Sequence, residues 1–221
     1  KAVLDGKQVA LLVPTTVLAQ QHFHTFNQRL ATFPVEVEML SRFRTPQQQK
    51  EIVNQLEAGS IDIVIGTHKL LQKNLKFKEL GLLVVDEEQR FGVSHKEKLK
   101  KLKQNVDVLA LTATPIPRTL HMSLVGIRDI SIISTPPEFR QSIITYVSEF
   151  DEELIAEGIR KEIQRHGQIF FVHNNIKSIN KIARRLQQLV PEVRLDIAHG
   201  RMSETDLEQV MYRFLNKEFD M

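Results

Sequence analysis

Short apolar runs recur along this chain without strict polar alternation, and stretches with helical spacing separate them. The runs are Gln8–Val13, Val35–Leu40, Ile61–Ile65, Leu82–Val85, Val108–Thr112 and Ile130–Ile133. Strands of this kind are buried on both faces, so they belong to a parallel sheet covered by helices. The intervening segments carry helix signals. Ala19, Phe23, Phe26 and Leu30 line one face after Thr16. Thr45-Pro46-Gln47-Gln48 supplies a cap, a first-turn proline and a capping-box glutamine. Gly59 stands where the second helix should stop. Ser94-His95-Lys96-Glu97 reads as another capping box, opening a lysine-rich helix.

Ser134-Thr135-Pro136-Pro137-Glu138 interrupts the pattern, because two prolines fit neither a helix interior nor a central strand. The βα pattern then resumes. Strands are expected at Ser142–Val147, Gln168–Val172 and Val193–Ile197, and helices at Glu152–Gln164, Ile176–Leu189 and Ser203–Asn216. The expected organisation is α/β, with one unit over 1–137 and a second, shorter one over 138–221. Both ends read as internal to a longer protein: Lys1 is no natural start, and Phe219-Asp220-Met221 resembles the beginning of a strand.

Composition narrows the function classes. No apolar run approaches the roughly 20 residues of a membrane span, and no signal peptide is visible. The absence of cysteine excludes disulfides and thiolate metal sites. It fits a cytoplasmic address. The formal charge of +3 permits nucleic-acid binding without requiring it. Positive charge concentrates in His95–Lys103, which holds five lysines against one glutamate. That stretch reads equally as a solvated helix face or as a surface for phosphates.

Leu82-Leu83-Val84-Val85-Asp86-Glu87-Glu88-Gln89 is the strongest chemical signal. In open α/β sheets ligands bind beyond the carboxyl ends of the strands. Acids there hold a hydrated magnesium ion and activate a water, although the same pattern also occurs as a plain charged strand end. A second run, Leu109-Ala110-Leu111-Thr112-Ala113-Thr114-Pro115, ends in small hydroxyl residues able to bond to a neighbouring strand end. Pro14-Thr15-Thr16 and Gly66-Thr67-His68-Lys69 are strand-to-helix turns, whose free amides suit phosphates.

In this order the motifs resemble those of the superfamily 2 helicases and translocases. Asp86-Glu87-Glu88-Gln89 is similar to motif II, Thr112-Ala113-Thr114 to motif III, Pro14-Thr15-Thr16 to motif Ia and Gly66-Thr67-His68 to motif Ib. Phe170-Phe171-Val172-His173-Asn174 resembles motif IV, and Ala198-His199-Gly200-Arg201-Met202 the His-Gly turn after it. The continuations Arg90-Phe91-Gly92-Val93 and Pro115-Ile116-Pro117-Arg118-Thr119-Leu120 narrow the resemblance to the RecG-like branch. Met122-Ser123-Leu124-Val125-Gly126-Ile127-Arg128 and Thr135-Pro136-Pro137 narrow it further, toward the bacterial transcription-repair coupling factors.

The resemblance implies two RecA-like parallel-sheet lobes, the first lacking its Walker A segment and the second truncated before motifs V and VI. It implies ATP and magnesium as cofactors, and an ATP-dependent motor on double-stranded DNA. That motor would displace stalled RNA polymerase and promote excision repair through domains outside this chain. On it, Asp86 would hold the metal and Glu87 would activate the water. Glu88, Gln89, Thr112 and Thr114 would couple ATP state to movement. Thr15, Thr16, Arg42, Arg44, Thr67, His68, Lys69, His199 and Arg201 would meet the DNA backbone. His22 and His24 read as solvated or packed. Without a phosphate loop, the 221-residue chain is expected not to hydrolyse ATP alone. A RecG-like fork-remodelling motor and a non-catalytic RecA-like binding module are the competing readings.

Overall fold

The computed structural model describes residues 1–72, 75–102, 106–113, 129–135 and 143–221. They divide into two compact units, Lys1–Ile132 and Ile133–Met221.

The first unit runs β1 (Gln8–Leu12), α1 (Thr16–Leu30), β2 (Val37–Leu40), α2 (Pro46–Ala58), β3 (Ile63–Gly66), a 3-10 turn (His68–Leu71), β4 (Leu80–Asp86), a second 3-10 turn (Glu88–Arg90), α3 (Val93–Leu102) and β5 (Asp107–Leu111). The strands form one sheet in the order β2-β3-β1-β4-β5, and every pairing is parallel. The expected α/β architecture is present.

Successive strand residues alternate between two cores. Ala10, Leu12, Val64, Leu83 and Val85 join Ile52 and Leu56 of α2 and Leu99 of α3. Val9, Leu11, Val13, Ile63 and Ile65 join Ala19 of α1, with Phe23, Phe26 and Leu30 packed against them. β1 to β4 are therefore apolar on both faces, and α1 covers one side while α2 and α3 cover the other; β5 is exposed along its length. Buried Gln8 is the polar exception. Its amide donates to the carbonyls of Leu56 (3.0 Å) and Ile61 (2.8 Å) and accepts the Glu79 N–H (3.1 Å). A buried amide so satisfied clips the end of α2 and the approaches to β3 and β4 onto β1.

Helix ends follow the local chemistry. Thr45 and Gln48 form the reciprocal capping box with Pro46 in the first turn, and Gly59 closes α2 at φ 81°. A cap of this kind contributes about 1 kcal/mol. The α3 expectation needs correcting: the helix opens at Val93, so Ser94 lies inside its first turn rather than at the cap.

The second unit contains α4 (Glu152–Gln164), α5 (Ile179–Leu189) and α6 (Glu204–Leu215). Asp151 caps α4 and Ser203 caps α6 through side-chain oxygens. Ala156, Ile159, Leu186, Val190, Val193 and Met221 form its core. The strands expected at Gln168–Val172 and Val193–Ile197 are not formed as ladders. Isolated bonds link extended stretches instead: Ile169 N–H to the Asp220 carbonyl (2.8 Å), Asp220 N–H to the Arg194 carbonyl (2.7 Å) and Asp196 N–H to the Met221 carbonyl (3.0 Å). Ile130–Ile133 and residues 143–147 are not strands either. Ile132 and Ile133 are 84% and 92% exposed, and an apolar run becomes a strand only with a partner to pair with. Arg194 grips Asp220 through two guanidinium nitrogens at 3.0 and 2.6 Å. Those bonds hold the Asp220 carboxyl below the usual carboxylate range. No helix among the described residues is long and apolar enough to cross a membrane.

Candidate active site

Parallel pairing places the carboxyl ends of all five strands of the first unit on one rim. The turns singled out in the sequence follow four of those ends. β1 is central, with β3 on one side and β4 on the other, so the Pro14–Thr16 turn lies between the Gly66–Lys69 turn and the acids.

Asp86 is the last residue of β4 and pairs with Leu111 of β5. Glu87 donates its N–H to the Leu111 carbonyl (2.9 Å) and then turns left-handed, at φ 50°, ψ 49°. A non-glycine residue held there stores about 1–3 kcal/mol of strain, a reservoir that collects at functional sites. The reversal ends the strand and starts the 3-10 turn Glu88–Arg90. The Glu87 carboxylate accepts the Ala113 N–H at 3.0 Å and the Gln89 side-chain amide. The same Gln89 nitrogen reaches the Thr112 hydroxyl at 3.3 Å. Asp86, Glu87, Gln89 and Thr112 are thus brought together across the ends of β4 and β5. Thr114 lies outside the described residues, as do Pro115–Leu120, Met122–Arg128 and Pro136–Pro137.

The structure adds a residue that was read from the sequence as solvated or packed. His22, on α1, places Nε2 3.2 Å from Asp86 Oδ2, with side chains 27% and 17% exposed. Its ring also leans edge-on against Phe26. A lone histidine on a helix face gives no signal of this. The strand order that sets α1 beside the end of β4 was the missing information.

On the rest of the rim, Thr15 caps α1, its hydroxyl accepting the Leu18 N–H at 3.2 Å. Thr16 is buried behind it. Gly66 ends β3 where a Cβ would stand 2.6 Å from the Leu40 carbonyl, so β2 and β3 approach too closely there for any side chain. Thr67 follows, 2% exposed, and its hydroxyl has no partner among the described residues. His68 stacks on His95 of α3 at 5.4 Å, and Lys69 donates to Gln49. Arg42 is exposed in the turn after β2. Arg44 is more constrained: it bonds Glu38 at 3.0 Å and lies over the Phe23 ring. In the second unit, Arg201 is exposed and His199 has a buried Nδ1 without a partner among the described residues.

Magnesium takes oxygen ligands and in ATPases keeps several waters, being held by one or two carboxylates and by phosphates. The Asp86 carboxylate at the end of β4 fits one place in such a partial shell. Among the described residues no group of three or more His, Cys, Asp or Glu forms a complete metal cage.

Comparison with known proteins gives this geometry a context. The DEAD/DEAH box helicase family matches residues 1–123. A transcription-repair-coupling factor of Staphylococcus aureus (strain USA300) is 55% identical over all 221 residues, which span 19% of its length. The chain therefore spans about a fifth of that relative. A structure of RecG bound to a three-way DNA junction superposes with a TM-score of 0.70 at 34% identity, over 97% of this chain and 29% of that one. Saccharomyces cerevisiae Dbp5, bound to RNA and ADP with beryllium fluoride, gives 0.62 at 14% identity over 97% of this chain and 56% of that one. The latter likeness shows the shared RecA-like fold alone.

Proposed function

The chain belongs to the DEAD/DEAH box helicase family, and on that premise we propose that it forms part of the ATP-driven motor of a transcription-repair coupling factor. This motor travels on double-stranded DNA, displaces stalled RNA polymerase and promotes nucleotide excision repair in the cytoplasm. The observation that carries the reading is 55% identity to such a factor along the whole chain. The 34% identity to RecG makes fork remodelling the weaker alternative. The paired acids of β4 argue against a non-catalytic binding module, which has no chemical need for both.

Bound ATP and magnesium supply the phosphoanhydride to be broken and the cation that neutralises its charge. Asp86 would hold the magnesium ion. Glu87 orients the attacking water and accepts its proton; a carboxylate has about four lone-pair sites, and the Ala113 N–H and the Gln89 amide occupy two. Glu88, Gln89, Thr112 and Thr114 relay the state of that site. Thr15, Thr16, Arg42, Arg44, Thr67, His68 and Lys69 meet phosphates in the first unit, as do His199 and Arg201 in the second. Such contacts position a protein on DNA without reading sequence. RNA polymerase and the excision-repair proteins engage domains beyond these residues.

The test uses a full-length protein bearing this segment. Duplex DNA should stimulate its ATPase, and ATP should let it displace a stalled polymerase. Fork regression without polymerase displacement would favour the RecG-like alternative, and loss of both would sink the motor. The 221-residue chain contains no Gly-Lys-Thr or Gly-Lys-Ser sequence and should show no DNA-stimulated turnover by itself.

A further inference from the structure

We propose that His22 is a positioning residue for the magnesium-binding carboxylate, holding Asp86 in its working orientation from α1. The inference rests on the reading of Asp86 as that carboxylate. Asp86 is the last residue of β4, where the chain is about to reverse through left-handed Glu87. Its backbone is fixed by pairing with β5, but the side chain of a strand-end aspartate is free to turn about two bonds. His22 removes that freedom. Its Nε2 lies 3.2 Å from Oδ2, the hydrogen-bond distance for an imidazole N–H donating to a carboxylate. Phe26, one turn further along α1, fixes the ring from the side at 6.5 Å and 72°.

The location gives the contact its significance. β1 pairs directly with β4, and the helix that follows β1 carries His22 in its second turn, from which the ring reaches the last residue of β4. The carboxylate is largely buried, and a buried charge without hydrogen bonds is costly. One histidine bond still leaves acceptor sites for a water of the ion's shell. Partners that orient a metal-site ligand in this way typically account for about 10–100-fold in metal affinity or activity.

The experiment compares the full-length protein bearing this segment as wild type, His22→Ala, His22→Gln and Asp86→Asn. Mn2+ binding in the presence of a non-hydrolysable ATP analogue is read by electron paramagnetic resonance, and the Mg2+ dependence of ATPase is measured alongside. His22→Ala should weaken Mn2+ binding and raise the Mg2+ half-saturation point, each by about tenfold, with analogue binding in the absence of metal unchanged. Alanine is the best helix former, so α1 should persist, which a melting curve checks. His22→Gln presents an amide N–H close to the position of Nε2 and should restore most of the loss. An unchanged metal response in His22→Ala, beside a weakened one in Asp86→Asn, overturns the positioning role alone. An equal loss in His22→Ala and His22→Gln also overturns it. If Asp86→Asn binds Mn2+ as wild type does, the metal reading of β4 fails as well.

Discussion

The Gln89 amide nitrogen lies 3.3 Å from the Thr112 hydroxyl, and the same nitrogen contacts Glu87, so one side chain bridges the ends of β4 and β5. Threonine is too weak a base to activate water and too uncharged to hold magnesium, so the relay role proposed for Thr112 makes a distinct prediction. In a full-length protein, Glu87→Gln should nearly abolish hydrolysis while ATP still binds. Changing Thr112 and Thr114 together to alanine should leave ATPase reduced but present, with translocation falling further than ATPase. ATPase and triplex displacement measured on the same preparations decide this. Equal loss of both would assign the threonines to the chemical step or to folding.

The backbone of Glu87 offers a test independent of activity. At φ 50° an L-residue is strained by roughly 1–2 kcal/mol, and glycine is not. Glu87→Gly should therefore be more stable than Glu87→Ala by about 1 kcal/mol, although neither should hydrolyse ATP. Urea midpoints followed by circular dichroism give the difference. Equal midpoints would mean that the left-handed turn relaxes once the carboxylate is gone.

Phosphate contacts predict steep salt dependence and little sequence preference in duplex binding. Removing one such contact should make the slope of log K against log salt shallower by about 0.9. Lys69→Ala and Arg42→Ala should each do so. Arg44→Ala should do so too and also cost stability, because its guanidinium bonds Glu38 and lies over Phe23. An unchanged slope in all three would remove this rim from the DNA interface.

Much of the first unit was legible because β1 to β4 are apolar on both faces and its caps are local. Thr45, Gln48 and Gly59 needed only their immediate neighbours to be read correctly. What depends on assembly was not legible. The order β2-β3-β1-β4-β5 is a long-range property, and His22 becomes visible only once β1 and β4 are adjacent. The same limit explains the second unit: Gln168–Val172 and Val193–Ile197 have strand-like composition, but composition does not supply partners, and among the described residues a few backbone bonds to Asp220 and Met221 link these stretches without forming a ladder. At Ser94, Gly92-Val93 offered an earlier start that the capping-box pattern concealed.

The Arg194–Asp220 pair fixes how the second unit responds to acid. Asp220 is held below the usual carboxylate range by its bonds to Arg194. The pair therefore contributes stability at and above that range, and the contribution is lost as pH falls through the lowered value. Asp220→Asn should be less stable than wild type at pH 7, and the gap should close in strong acid. Urea midpoints across that pH range would show it. A gap that is constant with pH would mean that the pair contributes through packing rather than charge.

β5 is the outermost described strand on its side of the sheet, and Val108, Leu109 and Leu111 along it are exposed. Among the described residues no strand pairs with its far edge, and an unpaired edge backed by oily side chains is a ready template for another chain. In the test tube, the segment should therefore behave as a sticky solute that clouds on concentration. Charged substitutions along Val108–Leu111, rather than at the acids or the turns proposed to meet DNA, are the route to preparations that stay clear.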